Sequence, residues 1–257
     1  MSKGTALVTG ASSGIGAELA KLCAAGGYDL VLVARTTAKL QELAGSLSKT
    51  HGIAARPLAV DLADPAAPQA IFEQTRGDRV EILINNAGFG ALGPYAETDW
   101  AVDAHMIQVN IVALAQLTKL YLPEMLRRRS GRILNVGSTA AFVPGPLMAM
   151  YYASKAFVVS FSHAVANEVK GSGVTVTVLC PGPTLTGFPE AAGTSGSKLF
   201  QGAAMSAADV ARDGYRAMMS GKAEVISGLR NRGMMLGTRL APRTMLAGIA
   251  RRLNSNA

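Results

Sequence analysis

The 257-residue sequence predicts an α/β protein: one doubly wound parallel sheet of about seven strands, with helices on both faces. Three observations carry this reading. Short apolar runs of strand length alternate with longer segments whose apolar residues recur at helical spacing, the pattern of repeated strand–helix–strand units. The short runs are apolar at nearly every position, as strands buried on both faces must be. A glycine-rich turn stands where the first run gives way to the first helix.

In chain order, Ala6 to Thr9 reads as the first strand and Gly14 to Ala25 as the helix after it. Tyr28 to Ala34 and Ala54 to Val60 follow as strands, with helices from Thr37 to Ser48 and from Pro65 to Arg76. Glu81 to Ile84 is the fourth strand. A long helical region from Asp99 to Arg129 comes next, broken near Asn110. Arg132 to Val136, a helix from Tyr151 to Lys170 and Val174 to Cys180 complete the regular part. Gly187 to Ala204, rich in Gly, Ser and Ala, reads as part of a lid over about 187–205. It precedes a helix capped by Ser206, with Asp209 at the third position. Residues 229–257 form a basic, apolar extension ending in a helix or helix pair. With no linker and no fixed-period repeat, residues 1–257 are expected to be one domain.

Composition narrows the classes. Hydrophobic residues make up 49% of the chain and charged residues 16%, enough apolar material for a large core. No apolar run approaches the ~20 residues that span a membrane. Met1 to Gly4 leads straight into a strand-like segment, so no signal peptide is expected and a cytoplasmic location is. Cys23 and Cys180 lie in separate apolar runs and are expected to be buried free thiols. The net charge of +8 concentrates at the end: after Glu224 there are six arginines and no acidic residue. No zinc-ligand spacing or basic–aromatic interleaving accompanies them, so neither a metal nor a nucleic-acid partner is expected.

The chemistry is carried by four features. Gly10, Ser12, Ser13, Gly14, Ile15 and Gly16 form a strand-to-helix turn with G-x3-G-x-G spacing, a Rossmann-type variant. There a pyrophosphate can approach the backbone N–H groups of a helix N-terminus. The second strand ends Leu32-Val33-Ala34-Arg35. It offers a guanidinium where NAD-specific sites carry an acid, which favours the 2′-phosphate of NADP(H). Tyr151 and Lys155, four residues apart, share a helix face, and a nearby ammonium favours the phenolate. Ser138 closes the fifth strand at the carboxyl edge of the sheet, where open α/β folds bind ligands.

With Asp61 after the third strand, Asn85-Asn86-Ala87-Gly88, Asn110 and Pro181-Gly182, these motifs stand in order. The chain thereby resembles the short-chain dehydrogenase/reductase family over roughly residues 3 to 228. The resemblance implies a catalytic tetrad of Asn110, Ser138, Tyr151 and Lys155. Tyr151 would be the general acid in reduction, and Ser138 would orient the carbonyl. Lys155 would lower the tyrosine pKa and hold the nicotinamide ribose, and Asn110 would hold a water that links Lys155 to solvent. It places Asp61 and Leu62 against adenine, Asn86, Ala87 and Gly88 along the cofactor cleft, and Pro181, Gly182, Thr184 and Thr186 at the nicotinamide end. Pro-Gly-Pro-Thr-Leu-Thr allows more than one register for the threonines. Ser13 stands where some NADP-preferring relatives carry a basic residue, so Arg35 bears the phosphate argument largely alone. A homodimer or homotetramer is also implied.

Phe89, Leu92, Phe142, Val143, Pro144, Leu147, Met148, Met150 and Phe188 are expected around the active site. They point to a hydrophobic ketone or aldehyde, or its alcohol. A 3-oxoacyl-carrier-protein reductase is the second reading, hinted at by Arg127-Arg128-Arg129, which otherwise complement a helix C-terminus. A non-catalytic NADP(H)-binding redox sensor is the third, and the intact Ser138, Tyr151 and Lys155 argue against it. The basic tail is expected to cover the subunit's own core or a partner subunit, with an anionic membrane surface as the alternative.

Overall fold

The computed structural model describes residues 2–194, 204–238 and 241–255. Its first half builds three strand–helix units and a fourth strand. These are β1 (Thr5–Thr9), α1 (Gly14–Ala25), β2 (Asp29–Ala34), α2 (Thr37–His51), β3 (Ala55–Ala59), α3 (Ala67–Gln74) and β4 (Val80–Asn85). The long helical region follows as α4 (Trp100–Ile107), a π-helical turn at Gln108–Ala113, and α5 (Leu114–Arg128). Thus the break expected near Asn110 is a change of helix pitch. Then come β5 (Gly131–Val136), a short 3₁₀ turn at Thr139–Phe142, α6 (Ala149–Glu168) and β6 (Val174–Cys180). The chain continues through β7 (Thr184–Leu185), α7 (Phe188–Ala191), β8 (Met205–Ser206), α8 (Ala207–Met219) and β9 (Glu224–Ile226), and ends in α9 (Leu229–Thr238) and α10 (Arg243–Asn254).

Seven strands form one parallel sheet in the order β3-β2-β1-β4-β5-β6-β9. The seventh strand, β9, spans three residues, too few for a periodicity to show. Pro57 sits in β3, and an edge strand tolerates proline because one side of it needs no ladder bond.

Alternation along each strand divides the core into two layers. Ala6, Val8, Leu30, Leu32, Ile82 and Ile84 face α1, α2 and α8, meeting Leu19, Leu40 and Val210. Leu7, Val31, Val33, Leu83 and Ile133 face the other side, where Ile71, Leu117, Met125 and Val165 cover them. Neighbouring residues of one strand therefore belong to different cores, which is why the strands read as unbroken apolar runs. Both cysteines are free and buried.

Ser206 caps α8 as the sequence indicated. Its Oγ accepts from Asp209 N at 3.0 Å and donates to the Asp209 carboxylate at 2.7 Å. The lid expectation at 187–205 is covered only in part: the two-stranded β7–β8 pair and α7 are described, while residues 195–203 lie outside the described residues. No described helix is long and apolar enough to cross a membrane.

Candidate active site

Strand order reverses at β1, whose neighbours β2 and β4 lead the chain to opposite sides. A cleft of about 660 Å³ opens there, at the carboxyl edge of the sheet. Its lining is supplied by the residues that follow successive strands: Gly10 after β1, Arg35 after β2, Asn86 after β4, Gly137 after β5 and Pro181 after β6. A crevice beside the strand ends is where such a sheet leaves room for a ligand.

The glycine turn fits a phosphate for stereochemical reasons. Gly10 has φ +65°, which a side chain makes costly. At Gly16 an added Cβ would lie 2.3 Å from the Gly10 carbonyl oxygen, so only glycine lets the helix begin this close to the strand. Ser13 holds the N-cap position of α1 yet makes no capping bond, and the first turn carries no acid. Ser12, Ser13, Gly14 and Ile15 line the cleft beside it.

Thr9 and Asn86 lock this turn to the next strand. Thr9 Oγ1 donates to Ile84 O at 3.2 Å and accepts from Asn86 N at 3.0 Å and Ala87 N at 3.1 Å. Asn86 Nδ2 in turn donates to Thr9 O at 2.9 Å and Gly10 O at 3.2 Å. Thr9 was not singled out in the sequence, since its partners lie more than 70 residues away.

Arg35 is exposed at the cleft edge, and its guanidinium has no hydrogen-bond or ion-pair partner among the described residues. Asp61 and Leu62 line the same end. The Asp61 carboxylate caps a turn by accepting from Ala63 N at 3.0 Å, and Leu62 is buried.

At the other end Ser138, Tyr151 and Lys155 converge on one stretch of cleft wall. Ser138 Oγ accepts from Ala140 N at 3.1 Å, so the serine starts the 3₁₀ turn while its hydroxyl reaches the Tyr151 phenol. Lys155 is buried; its Nζ donates to Val136 O at 2.9 Å and lies 5.8 Å from the centre of the Tyr151 ring. Burial pushes the Tyr151 phenol up to about 12, with the Ser138 side chain drawing it part of the way back. Burial also brings the Lys155 ammonium down to about 8. Desolvation is the largest influence on both groups, and the Lys155 ammonium is aimed at a main-chain carbonyl.

Asn110 projects from the π turn and is fully buried. Its Nδ2 donates to Phe89 O at 2.9 Å and Ser154 Oγ at 3.0 Å, and its Oδ1 accepts from Phe89 N at 3.1 Å. Both amide protons are thus spent on the protein, and Asn110 fixes the segment after β4 against α6. A side chain on Gly88 would fill the space between them, 3.0 Å from Asn110 Oδ1 and 3.3 Å from Lys155 Nζ.

The segment after β6 settles both threonines at the cleft. Thr184 is buried and donates to Gly182 O at 2.9 Å, while Thr186 packs against the glycine turn and accepts from Phe188 N at 3.2 Å. Phe188 then lies against the catalytic-side tyrosine, ring centres 5.2 Å apart. Of the nine apolar residues expected here, Phe89, Met148 and Phe188 line the cleft. Phe142, Val143 and Pro144 instead line a separate shallow groove of about 480 Å³, because the 3₁₀ turn carries them to the outer side of α6. Leu92, Leu147 and Met150 line neither cavity. His105 and Val109 enter the cleft from the α4–π junction; nothing local in the sequence marks them.

Arg127 and Arg128 both pair with Glu124, and Arg128 also donates to Val80 O at 2.7 Å. Two of the three arginines are therefore structural, as cations in a last helical turn commonly are.

A family model described as short chain dehydrogenase matches residues 4–195. A very-long-chain 3-oxoacyl-CoA reductase of Phaeosphaeria nodorum is 40% identical over 177 residues, 66% of this chain and 52% of that protein. The chain thus spans about half the length of the curated fungal reductases it matches. A 7beta-hydroxysteroid dehydrogenase of Collinsella aerofaciens is 32% identical over 180 residues, 70% of this chain and 68% of its relative. Among solved structures, a short-chain dehydrogenase from Sphingobium yanoikuyae in complex with NADPH superposes with a TM-score of 0.84. It shares 34% identity and covers 92% of this chain and 94% of its own.

Proposed function

Since the chain belongs to the short-chain dehydrogenase family of oxidoreductases, we propose that it interconverts a hydrophobic ketone or aldehyde and its alcohol with NADP(H) as cofactor. The observation that carries the proposal is the convergence of Ser138, Tyr151 and Lys155 in a cleft continuous with the glycine cradle.

When bound, the nicotinamide would supply or take the hydride, while the chain's own residues hold the substrate and move the proton. The Ser138 hydroxyl, which faces the Tyr151 phenol, binds the substrate oxygen and fixes its position beside Tyr151. With its phenol near 12, Tyr151 is fully protonated at neutral pH and delivers its proton to the carbonyl oxygen as charge develops there. In the alcohol-to-ketone direction the same phenol must first lose that proton, a harder step at neutral pH. Lys155, held by the Val136 carbonyl, keeps a positive charge beside the tyrosine below about pH 8. Asn110 ties the Phe89 backbone to α6 and so keeps this wall in place.

Arg35 supports NADP(H) over NAD(H). It is an unpartnered guanidinium at the end of β2, and a planar fork suits a phosphate. The Sphingobium relative, whose structure carries NADPH, supports the same choice. Phe89, Met148 and Phe188 support an apolar substrate, as do relatives named for steroid and long-chain acyl substrates.

The test follows nicotinamide absorbance with NADPH and NADH across bulky apolar ketones, aldehydes and small oxo acids. Highest kcat/KM with NADPH and an apolar carbonyl is the expected result. Preference for a small charged oxo acid would overturn the substrate reading, and equal use of NADH would overturn the cofactor reading.

A further inference from the structure

Beyond the cleft, the two last helices present a surface that their own packing does not explain. On α10 the buried residues are Ala250 and Asn254. Asn254 is anchored by two hydrogen bonds: its Nδ2 donates to Pro146 O at 2.9 Å, and its Oδ1 accepts from Tyr152 Oη at 3.1 Å. The inward face of the helix is thereby fixed. Met245, Ile249 and Leu253, spaced four residues apart, form a stripe on the other side and remain exposed, Met245 by 59%. On α9 the buried residues are Asn231 and Met235, while Leu229 and Leu236, seven apart, stand outward at 83% and 66% exposure. A soluble helix normally turns its apolar residues inward. These helices turn a second apolar set outward.

The charge around that set has one sign. Arg230, Arg232, Arg243, Arg251 and Arg252 are all exposed, and residues 225–255 contain no acidic side chain. A second copy of the chain is a poor occupant, because a two-fold contact would set arginines against arginines with no carboxylate to meet them. Apolar side chains ringed by arginines match an anionic lipid surface. The aliphatic groups enter the acyl boundary while the guanidiniums stay with the phosphates. No described helix is able to span the bilayer, so the contact is peripheral.

We propose that α9 and α10 form a peripheral docking surface for anionic phospholipid membranes. It is independent of the reaction assigned above, and its test reads binding rather than turnover.

The full chain is mixed with unilamellar vesicles of phosphatidylcholine, with or without about 30% phosphatidylglycerol, and floated on a density gradient. The protein is expected to float with the anionic vesicles, to remain below with phosphatidylcholine alone, and to be released by high salt. A M245S/I249S/L253S variant and a R251E/R252E variant are each expected to lower the bound fraction at least tenfold. Both are expected to keep the wild-type melting temperature and turnover of a water-soluble carbonyl, since none of these residues enters the cleft. The proposal fails if the wild-type chain stays below with anionic vesicles, or if the triple-serine variant floats as well as wild type. It also fails if sedimentation equilibrium shows a dimer that the triple-serine variant splits, for then a second copy covers the stripe.

Discussion

Lys155 Nζ lies 5.8 Å from the centre of the Tyr151 ring, held there by a 2.9 Å hydrogen bond to the Val136 carbonyl at the end of β5. The lysine thus bridges the sheet and the first turns of α6. Its charge is placed by a backbone oxygen rather than by the tyrosine it serves, and both groups titrate under the control of burial.

Replacing Tyr151 by Phe removes the only proton it has to give while keeping the ring against Phe188. The turnover number should fall by about 10²- to 10⁴-fold, the range of a positioned general acid. Binding of NADPH, followed by fluorescence, should be almost unchanged. A variant retaining a tenth of wild-type turnover would assign the proton to another group.

The buried lysine makes stability depend on pH in a defined window. Its folded-state pKa of about 8 lies below the ordinary 10.5, so protonated Lys155 destabilises the fold at and below pH 8, and this penalty fades as pH rises toward 10.5. Each unit of that difference is worth about 1.4 kcal/mol, so on the order of 3 kcal/mol is at stake. Lys155→Met should melt higher than wild type at pH 7, and the gap should narrow between pH 8 and 10. Tyr151 acts in the opposite sense, because its raised pKa stabilises the fold below pH 10 and that contribution is lost toward 12. A gap that stays constant across pH 7 to 10 would contradict the placement of a buried ammonium.

Arg35→Ala tests the cofactor. A charge-assisted hydrogen bond contributes about 1.5–3 kcal/mol, so the Kd for NADPH should rise roughly ten- to a hundredfold while that for NADH moves little. Isothermal titration with both cofactors reads this directly. Equal losses for the two would show that Arg35 contacts something common to both.

Asn254 ties α10 to the loop before α6 through Pro146 O and to α6 itself through Tyr152 Oη. Asn254→Leu leaves the buried Tyr152 hydroxyl unpaired, at a cost of about 1–3 kcal/mol, and frees the half-buried Pro146 carbonyl as well. Denaturant unfolding should show the loss as a lower midpoint with an unchanged slope. An unchanged midpoint would mean that α10 contributes nothing to the stability of the body.

Much of the molecule was legible because the determinants are local. Alternating apolar runs and helical spacing placed six of the seven sheet strands, and Ser206 and Asp209 marked the start of α8 from adjacent positions. The strand β9 escaped because three residues carry no period. The glycine turn was readable for the same reason that it works: backbone conformation and close approach leave little choice of residue at Gly10 and Gly16.

The sequence by itself therefore determined the parallel α/β fold, the glycine turn at the head of α1, and the candidate residues Arg35, Ser138, Tyr151 and Lys155. Only the tertiary structure decided what each of them meets. Thr9 locks the glycine turn to residues more than 70 positions away, and Asn110 spends its amide on Phe89 and Ser154. The 3₁₀ turn takes Phe142, Val143 and Pro144 out of the cleft, and desolvation raises the Tyr151 phenol. Propensity and periodicity act over a few residues. Burial, and with it pKa and the composition of a cavity wall, depends on chain segments that meet only when the sheet has formed.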